Sequence, residues 1–338
     1  EEIPDLHVIA AGSLLEFAIK HVGSFPVGRV EYMYMHPLSF QEYLQALGKH
    51  MLLEQLSYIP INDFAHQAML EQFHLYAIIG GMPEVVKVYL EQQNISSLAR
   101  FYESLWESFR NDAEKYSNNE TERKVLKHIF STAHGYVDQR IKFQNFGNSN
   151  YRSREVGEAF RNLDSAKIIQ LIYPTTELHP PAIQNVRKSP RLQFLDTGLL
   201  NYTLGIQAQM LAMSDYNAAY RGAITHHITN QELIALNTFA YEKPLFWVRD
   251  KNQASSEIDV VVSRNGLLFP IEVKSGVTGT LRSLHQFINL CNHSYAIRLY
   301  AGNFKVEKAK TPAGKPYLLM NLPYYLVSKI ESYIDYFV

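Results

Sequence analysis

The sequence predicts a multidomain α/β protein. Apolar runs of roughly four to eight residues, rich in Val, Ile and Leu, stand near both ends of the chain and read as strands. Between them, apolar residues recur at helical spacing behind capping signals. A chain of 338 residues has room for two or three domains.

Taken in order, residues 7–11 read as a buried strand running into a helix, "SLLEFAIKHV", with Ser13 as N-cap. "GRVEYMYMHPLSF" reads as a second strand ending at His36–Pro37. "SFQEYLQALG" is a helix opened by a Ser39–Glu42 capping box and closed by Gly48. Residues 62–115 read as three helices, the first two separated by Gly80–Gly81 and Pro83. In the third, Phe101, Leu105 and Phe109 keep helical spacing and read as core.

From about residue 120 the pattern changes. Two helices, "TERKVLKHIFSTAHGYV" and one capped by Ser153, precede a strand, a loop with Pro180–Pro181 and a second strand, "PRLQFLD". That order predicts a winged helix-turn-helix. A helix from Thr225 then leads into strands near 245–249, 256–263 and 267–273, a helix at 279–290, and strands near 295–301 and 315–320. The expected division is 1–48, 49–117, 118–205 and 206–338. There are no repeats and no low-complexity tracts.

Lys plus Arg (32) nearly balances Asp plus Glu (33), so any basic surface is local. The single cysteine, Cys291, excludes a disulfide framework and a multi-cysteine zinc site, and suits a reducing cytoplasm. No apolar run approaches the ~18 residues that span a bilayer, so no membrane partner is expected. The sequence starts without Met, and its first strand reads as the interior of a parallel sheet whose preceding part is absent; one edge of that strand should then be exposed.

The stretch "SSEIDVVVSRNGLLFPIEVKSG", residues 255–276, places acids and a lysine in an apolar strand pair. Glu272 and Lys274, two apart, share a strand face, and a hairpin brings Asp259 beside them. Carboxylates so clustered suit a hard divalent cation such as Mg²⁺, which polarises a phosphoryl oxygen or acidifies a bound water. The lysine would orient that water or stabilise developing negative charge. Read structurally, the same residues are an ion pair between strands. Adjacent His226 and His227 point about 100° apart and are poor joint zinc ligands.

With Glu232 on the preceding helix and Gln286 on the following one, this arrangement resembles the core of the PD-(D/E)xK nuclease superfamily. That resemblance implies Glu232, Asp259 and Glu272 as Mg²⁺ ligands, Lys274 as the catalytic lysine alongside Asp259 and Glu272, and Gln286 in support. Over nearly the whole chain, "HVIAAGSLLEF", "VGRVEYMYMHPLSFQEYL", "YAIIGGMPEVV", "FRNDAEKY", "RLQFLDTGLLNYTLG" and "NQELIAL" resemble successive blocks of predicted AAA+ ATPases with a C-terminal DUF4143 domain. The implied fold is a partial P-loop ATPase sheet with helical lid, a winged helix, and a nuclease-like α/β domain. Ser13 would then be a nucleotide sensor and Arg29 a phosphate-sensing or finger arginine.

The family's Walker A loop is missing: no G-x-x-x-x-G-K-[ST] occurs. ATP is therefore expected only in a complete protein, whose missing ATPase half, or a second copy of the chain, is an expected partner. DNA is another, through Arg140, Arg152, Arg154 and Arg161, which are interleaved with Phe143, Phe146 and Tyr151. The expectation is a cytoplasmic DNA-associated ATPase with a possible Mg²⁺-dependent nuclease domain. The alternative is a non-catalytic nucleic-acid- or protein-binding regulatory module that keeps the nuclease-like fold. A fluorescent ATP analogue should show no saturable binding to this chain; tight binding would contradict the reading of the missing loop.

Overall fold

The computed structural model describes residues 7–12, 28–115, 117, 119–207, 222–250, 256–276 and 280–338. Helices α1 (Phe40–Ala46), α2 (His50–Gln55), α3 (His66–Ile79), α4 (Pro83–Gln92) and α5 (Ala99–Lys115) come first. The expected capping box opens α1: the Glu42 N–H donates to Ser39 Oγ (3.4 Å) and the Ser39 N–H to Glu42 Oε2 (2.8 Å). Gly80, at φ 78°, ends α3, and Pro83 starts α4 at a position where its missing N–H is no loss.

The middle of the chain holds α6 (Glu120–Thr132), α7 (Ser153–Ser165) and two antiparallel strands, β1 (Ile169–Ile172) and β3 (Arg191–Phe194). Residues 138–141 lie along β3, with Asp138 N donating to Leu192 O (2.7 Å) and Ile141 N to Pro190 O (2.9 Å). Between β1 and β3, the two residues of β2 (Pro174–Thr175) leave to pair with a larger sheet.

That sheet has seven strands in the order β2-β4-β5-β6-β7-β9-β8. It comprises β4 (Leu245–Val248), β5 (Glu257–Arg264), β6 (Leu267–Val273), β7 (Tyr295–Tyr300), β8 (Lys305–Lys310) and β9 (Pro316–Pro323) besides β2. It is mixed: β6, β7 and β9 run parallel, and β4–β5–β6 is antiparallel. Helix α10 (Arg282–Leu290) packs Leu284, Phe287 and Ile288 on one face, against Trp247, Ile258 and Leu268. The other face, with Val260, Phe269, Ile271 and Val273, joins the core of the helical half. The chain ends in α11 (Ile330–Phe337). Edge strand β8 reads "KVEKAK" and exposes its lysines, which discourages further strand pairing.

Helices α8 (Thr197–Thr203) and α9 (Ala223–Ile234) lie between the two halves. They meet α3 and the start of α1 in a buried polar network. Asp196 caps α8 by accepting from Leu199 N (2.9 Å) and also accepts from Gly81 N (2.6 Å). Glu232 accepts from Phe40 N (2.9 Å) and from the Tyr76 hydroxyl (2.7 Å). His227 Nε2 accepts from Phe194 N (3.0 Å), so Nδ1 carries the proton that Thr197 Oγ1 receives at 2.9 Å. Burial raises Asp196 to about 6 and Glu232 to about 7, and lowers His227 to about 4.

Three expectations fail here. Residues 7–12 and 28–39 form no strand, and Val8, Ile9, Met33 and Met35 are exposed. Strand pairing needs a neighbour's ladder, and no strand among the described residues supplies one. The helix expected from Thr225 through residue 241 starts at Ala223 and stops at Ile234, beyond which the Asn237 side chain accepts from Phe239 N and Ala240 N and holds a turn instead. Strand β8 was not anticipated, because its charged sequence carries no apolar alternation. Ser13 and its helix lie outside the described residues.

The network demands close approach. A Cβ on Gly198 would sit 1.9 Å from Ile79 O, a backbone atom that cannot swing away. Gly198→Ala should therefore destabilise the protein by about 3 kcal/mol, measurable by urea unfolding; a change within experimental error would show that the helices separate more easily than this packing requires.

Candidate site: a charged joint at the ends of the central strands

The hairpin β5–β6 turns through Asn265 and Gly266, both at positive φ (52° and 73°), which suits a tight turn and fixes the register Val260↔Ile271 to Arg264↔Leu267. At the far end the β4–β5 register slips between the pairs Leu245↔Val261 and Trp247↔Ile258. Ile258 and Val261 both join the core under α10 while Val260 joins the other, so β5 carries an extra residue at Asp259–Val260. Such a bulge takes a side chain out of strict alternation. Here it lets Asp259 Oδ2 accept from Val273 N at 2.8 Å and cap the end of β6.

Asp259 has two cationic neighbours. Arg191, from β3, places Nη2 3.4 Å from Asp259 Oδ1 and donates through Nε to Glu257 Oε1 at 2.8 Å, with a second, shorter bond from Nη2 to the same oxygen. The guanidinium also lies over the Phe246 ring (4.6 Å) and 3.9 Å from Asp138 Oδ1. The second neighbour is His226 on α9. Its Nδ1 lies 2.8 Å from Asp138 Oδ2, and its Nε2 lies 3.3 Å from Val273 O and 3.6 Å from Asp259 Oδ2. Both ring nitrogens face acceptors, which only the imidazolium satisfies. Burial alone would lower this histidine, but Asp259 and Asp138 outweigh it and raise it to about 9.

Glu272 and Lys274 complete the group, with Nζ 2.6 Å from Oε1. Burial, and then repulsion from Asp259, push Glu272 up to about 7; its Oε2 is buried and makes no hydrogen bond. Arg140 Nη1 stands 3.6 Å from Glu257 Oε2. Four acids (Asp138, Glu257, Asp259, Glu272) thus meet four cationic side chains (Arg140, Arg191, His226, Lys274), so the joint supplies its acids with partners of its own.

The structure brings Asp259, Glu272 and Lys274 together, but Glu232 is not with them. Its Oε1 is committed to Phe40 N and Tyr76, where it completes the start of α1. Gln286 accepts from the Ser256 hydroxyl, next to Glu257. Arg29 is exposed. Arg140 turns toward Glu257 and Ser189 O (3.3 Å), while Arg152, Arg154 and Arg161 stay exposed on α7. Among the described residues no group of three His, Cys, Asp or Glu is placed to hold a metal ion. The donor set at hand therefore does not fit the expected Mg²⁺ site: one acid is elsewhere, and Asp259 already faces a guanidinium and an imidazolium.

Sequence reasoning gave no role to Arg191, Asp138 or Glu257, and considered His226 only as a zinc ligand. Arg191 and Glu257 each stand in a strand whose other residues are mostly apolar, which was the available signal. Residues 221–320 match the family model of a domain of unknown function, DUF4143. Residues 70–210 match a second, the domain of unknown function DUF8612. No curated protein and no solved structure matches the chain. Asp138, Arg140 and Arg191 fall in the DUF8612 match and the other five joint residues in DUF4143, so the ion pairs couple the two matched regions.

The joint should respond to pH in two windows. His226 is raised from 6.5 to about 9, so its stabilisation is complete below about 6.5 and lost as pH rises through 9. Glu272 is raised from 4.5 to about 7, so the folded state holds its proton more tightly and stability falls as pH rises from 4.5 to 7. His226→Gln should abolish most of the decline in Tm between neutral pH and about 9. An unchanged alkaline decline would mean that His226 is not an imidazolium in the folded protein.

Proposed function

We propose that this chain is a non-catalytic, DNA-associated regulatory module, in which a nuclease-like sheet is kept as a scaffold and the unit at residues 119–195 reads nucleic acid as a winged helix. What carries the reading is the exposed face of α7. Arg154 and Arg161, seven residues apart, share that face, and Arg152 stands exposed at its N-terminal end. Helix α6, the strand-like segment 138–141, the short turn at Phe146–Asn148, α7 and the β1–β3 pair follow one another in the order of a winged helix. The long connection between β2 and β3, with Arg187 exposed, takes the place of the wing. An ion pair on this face, Arg154 with Glu158 at 3.0 Å, is exposed and cheap to open.

Catalysis fits less well, since the acids of the strand pair already have cationic partners and the third expected ligand is elsewhere. The resemblance to AAA+ ATPases supplies the rest of the proposal: nucleotide hydrolysis belongs to a separate ATPase part, and this chain couples that part to DNA. Phosphate binding releases counterions, so affinity should fall steeply with salt. Replacing Arg152, Arg154 and Arg161 with Ala should lower the log–log slope for duplex DNA by about 0.9 for each arginine that meets a phosphate. Arg140→Ala should leave it unchanged, because that guanidinium is turned to Glu257. Fluorescence anisotropy across a salt series measures both. An unchanged slope in the triple variant would leave α7 with a structural role only.

A further inference from the structure

We infer that Arg191 is a resident cation: its tethered guanidinium neutralises Asp138, Glu257 and Asp259, fills the role that the nuclease resemblance would give to a divalent metal, and makes the strand-end joint refractory to metal.

Geometry supports this from three sides. The guanidinium is in contact with Glu257, with the Asp259 side chain and backbone carbonyl, and, more distantly, with Asp138. Its Cα is fixed, since β3 pairs with β1 along its whole length and Leu192 bonds the segment carrying Asp138 on its other side. Arg191 therefore reaches the acids with little further ordering, whereas a dissolved ion arrives with its hydration shell. Mg²⁺ gives up water reluctantly and demands near-octahedral oxygen ligation. To enter, it would have to displace a guanidinium packed on Phe246 and to approach an imidazolium. Asp259 Oδ2 would also have to release the Val273 N–H, a donor at the end of a buried strand.

A planar guanidinium spreads five donors in a fixed fork over several carboxylates and a carbonyl at once, where an ammonium has only three donors on one nitrogen. Arginine at this position thus accounts for an arrangement in which acids outnumber lysines and yet Asp138, Glu257 and Asp259 each have a cationic partner. The inference is separate from the DNA reading: metal binding at the joint would overturn it and leave the salt test of α7 standing.

Calorimetric titration of MgCl₂ and MnCl₂ into the wild-type chain tests it directly. The expected result is no saturable heat, and no Tm shift beyond that of a matched monovalent salt. Saturable binding that is lost in Glu272→Gln or Asp259→Asn would overturn the inference. Arg191→Met removes the resident cation and should lower Tm by on the order of 10 °C. Because Asp138, Glu257 and Asp259 then keep only His226 and Arg140 as cationic partners, three acids against two cations, its Tm should rise with Mn²⁺ or Mg²⁺. Arg191→Lys, which keeps a charge, should show no such rise. An Arg191→Met chain that responds to metal no more than wild type would also refute the substitution. If that variant does not fold, the wild-type titration decides alone.

Discussion

Asp196 and Glu232 place carboxylates where the backbone has donors that no ladder reaches. A helix leaves its first N–H groups without intrahelical partners, and burying them unpaired is costly. Here α1 starts inside the protein, and Phe40 N finds Glu232 from a helix 192 residues away in sequence. Gly81 N, just past the end of α3, finds Asp196. Each carboxylate is destabilised by burial, which is why both are raised above their ordinary range. Each is retained because the N–H groups it satisfies would otherwise be orphaned. The glycines follow from this: Gly80, Gly81 and Gly198 lack side chains where backbones come too close for a Cβ.

The strand-end joint obeys a different rule. Buried ion pairs gain little net stability over apolar packing, because desolvation offsets most of the Coulomb attraction. Their stronger effect is on orientation. An unpaired buried charge is costly, so a docking angle that separated Arg191 from Glu257 and Asp259 would be strongly disfavoured. Apolar packing would tolerate a slide of one side chain; a guanidinium shared among acids from two elements does not.

Much of the fold was legible in local signals. The Ser39–Glu42 box, the Gly80–Gly81 break and the Asn265–Gly266 turn work through neighbours in sequence, so a reading of sequence finds them. The grouping of Asp259, Glu272 and Lys274 was legible for the same reason, since a hairpin of known register is a local object. The position of Glu232 was not. Its place on α9 does not say which buried donor it serves; only tertiary packing decides that. Arg191 and Asp138 escaped because their partners lie across a boundary between two matched regions. The apolar run in residues 28–39 read as a strand because propensity says only that a segment suits a sheet, not that a neighbour is present.

Helix α9 connects the two networks through adjacent residues. His226 points to the joint, between Asp138 and Asp259, and is held as an imidazolium. His227, about 100° around the helix, points into the core, accepts from Phe194 N and is held neutral. The divergence that makes the pair poor joint metal ligands lets one turn of helix serve two environments of opposite demand. One needs a positive charge to balance acids; the other needs an acceptor without charge. Gln231 and Glu232, one turn on, continue the second environment to Thr197, Tyr76 and Phe40. A rotation of α9 would therefore break the charge balance of the sheet's open end and the cap of α1 together. Helix α9 is thus one of the elements that hold the DUF4143-matched region in register with the helices before it.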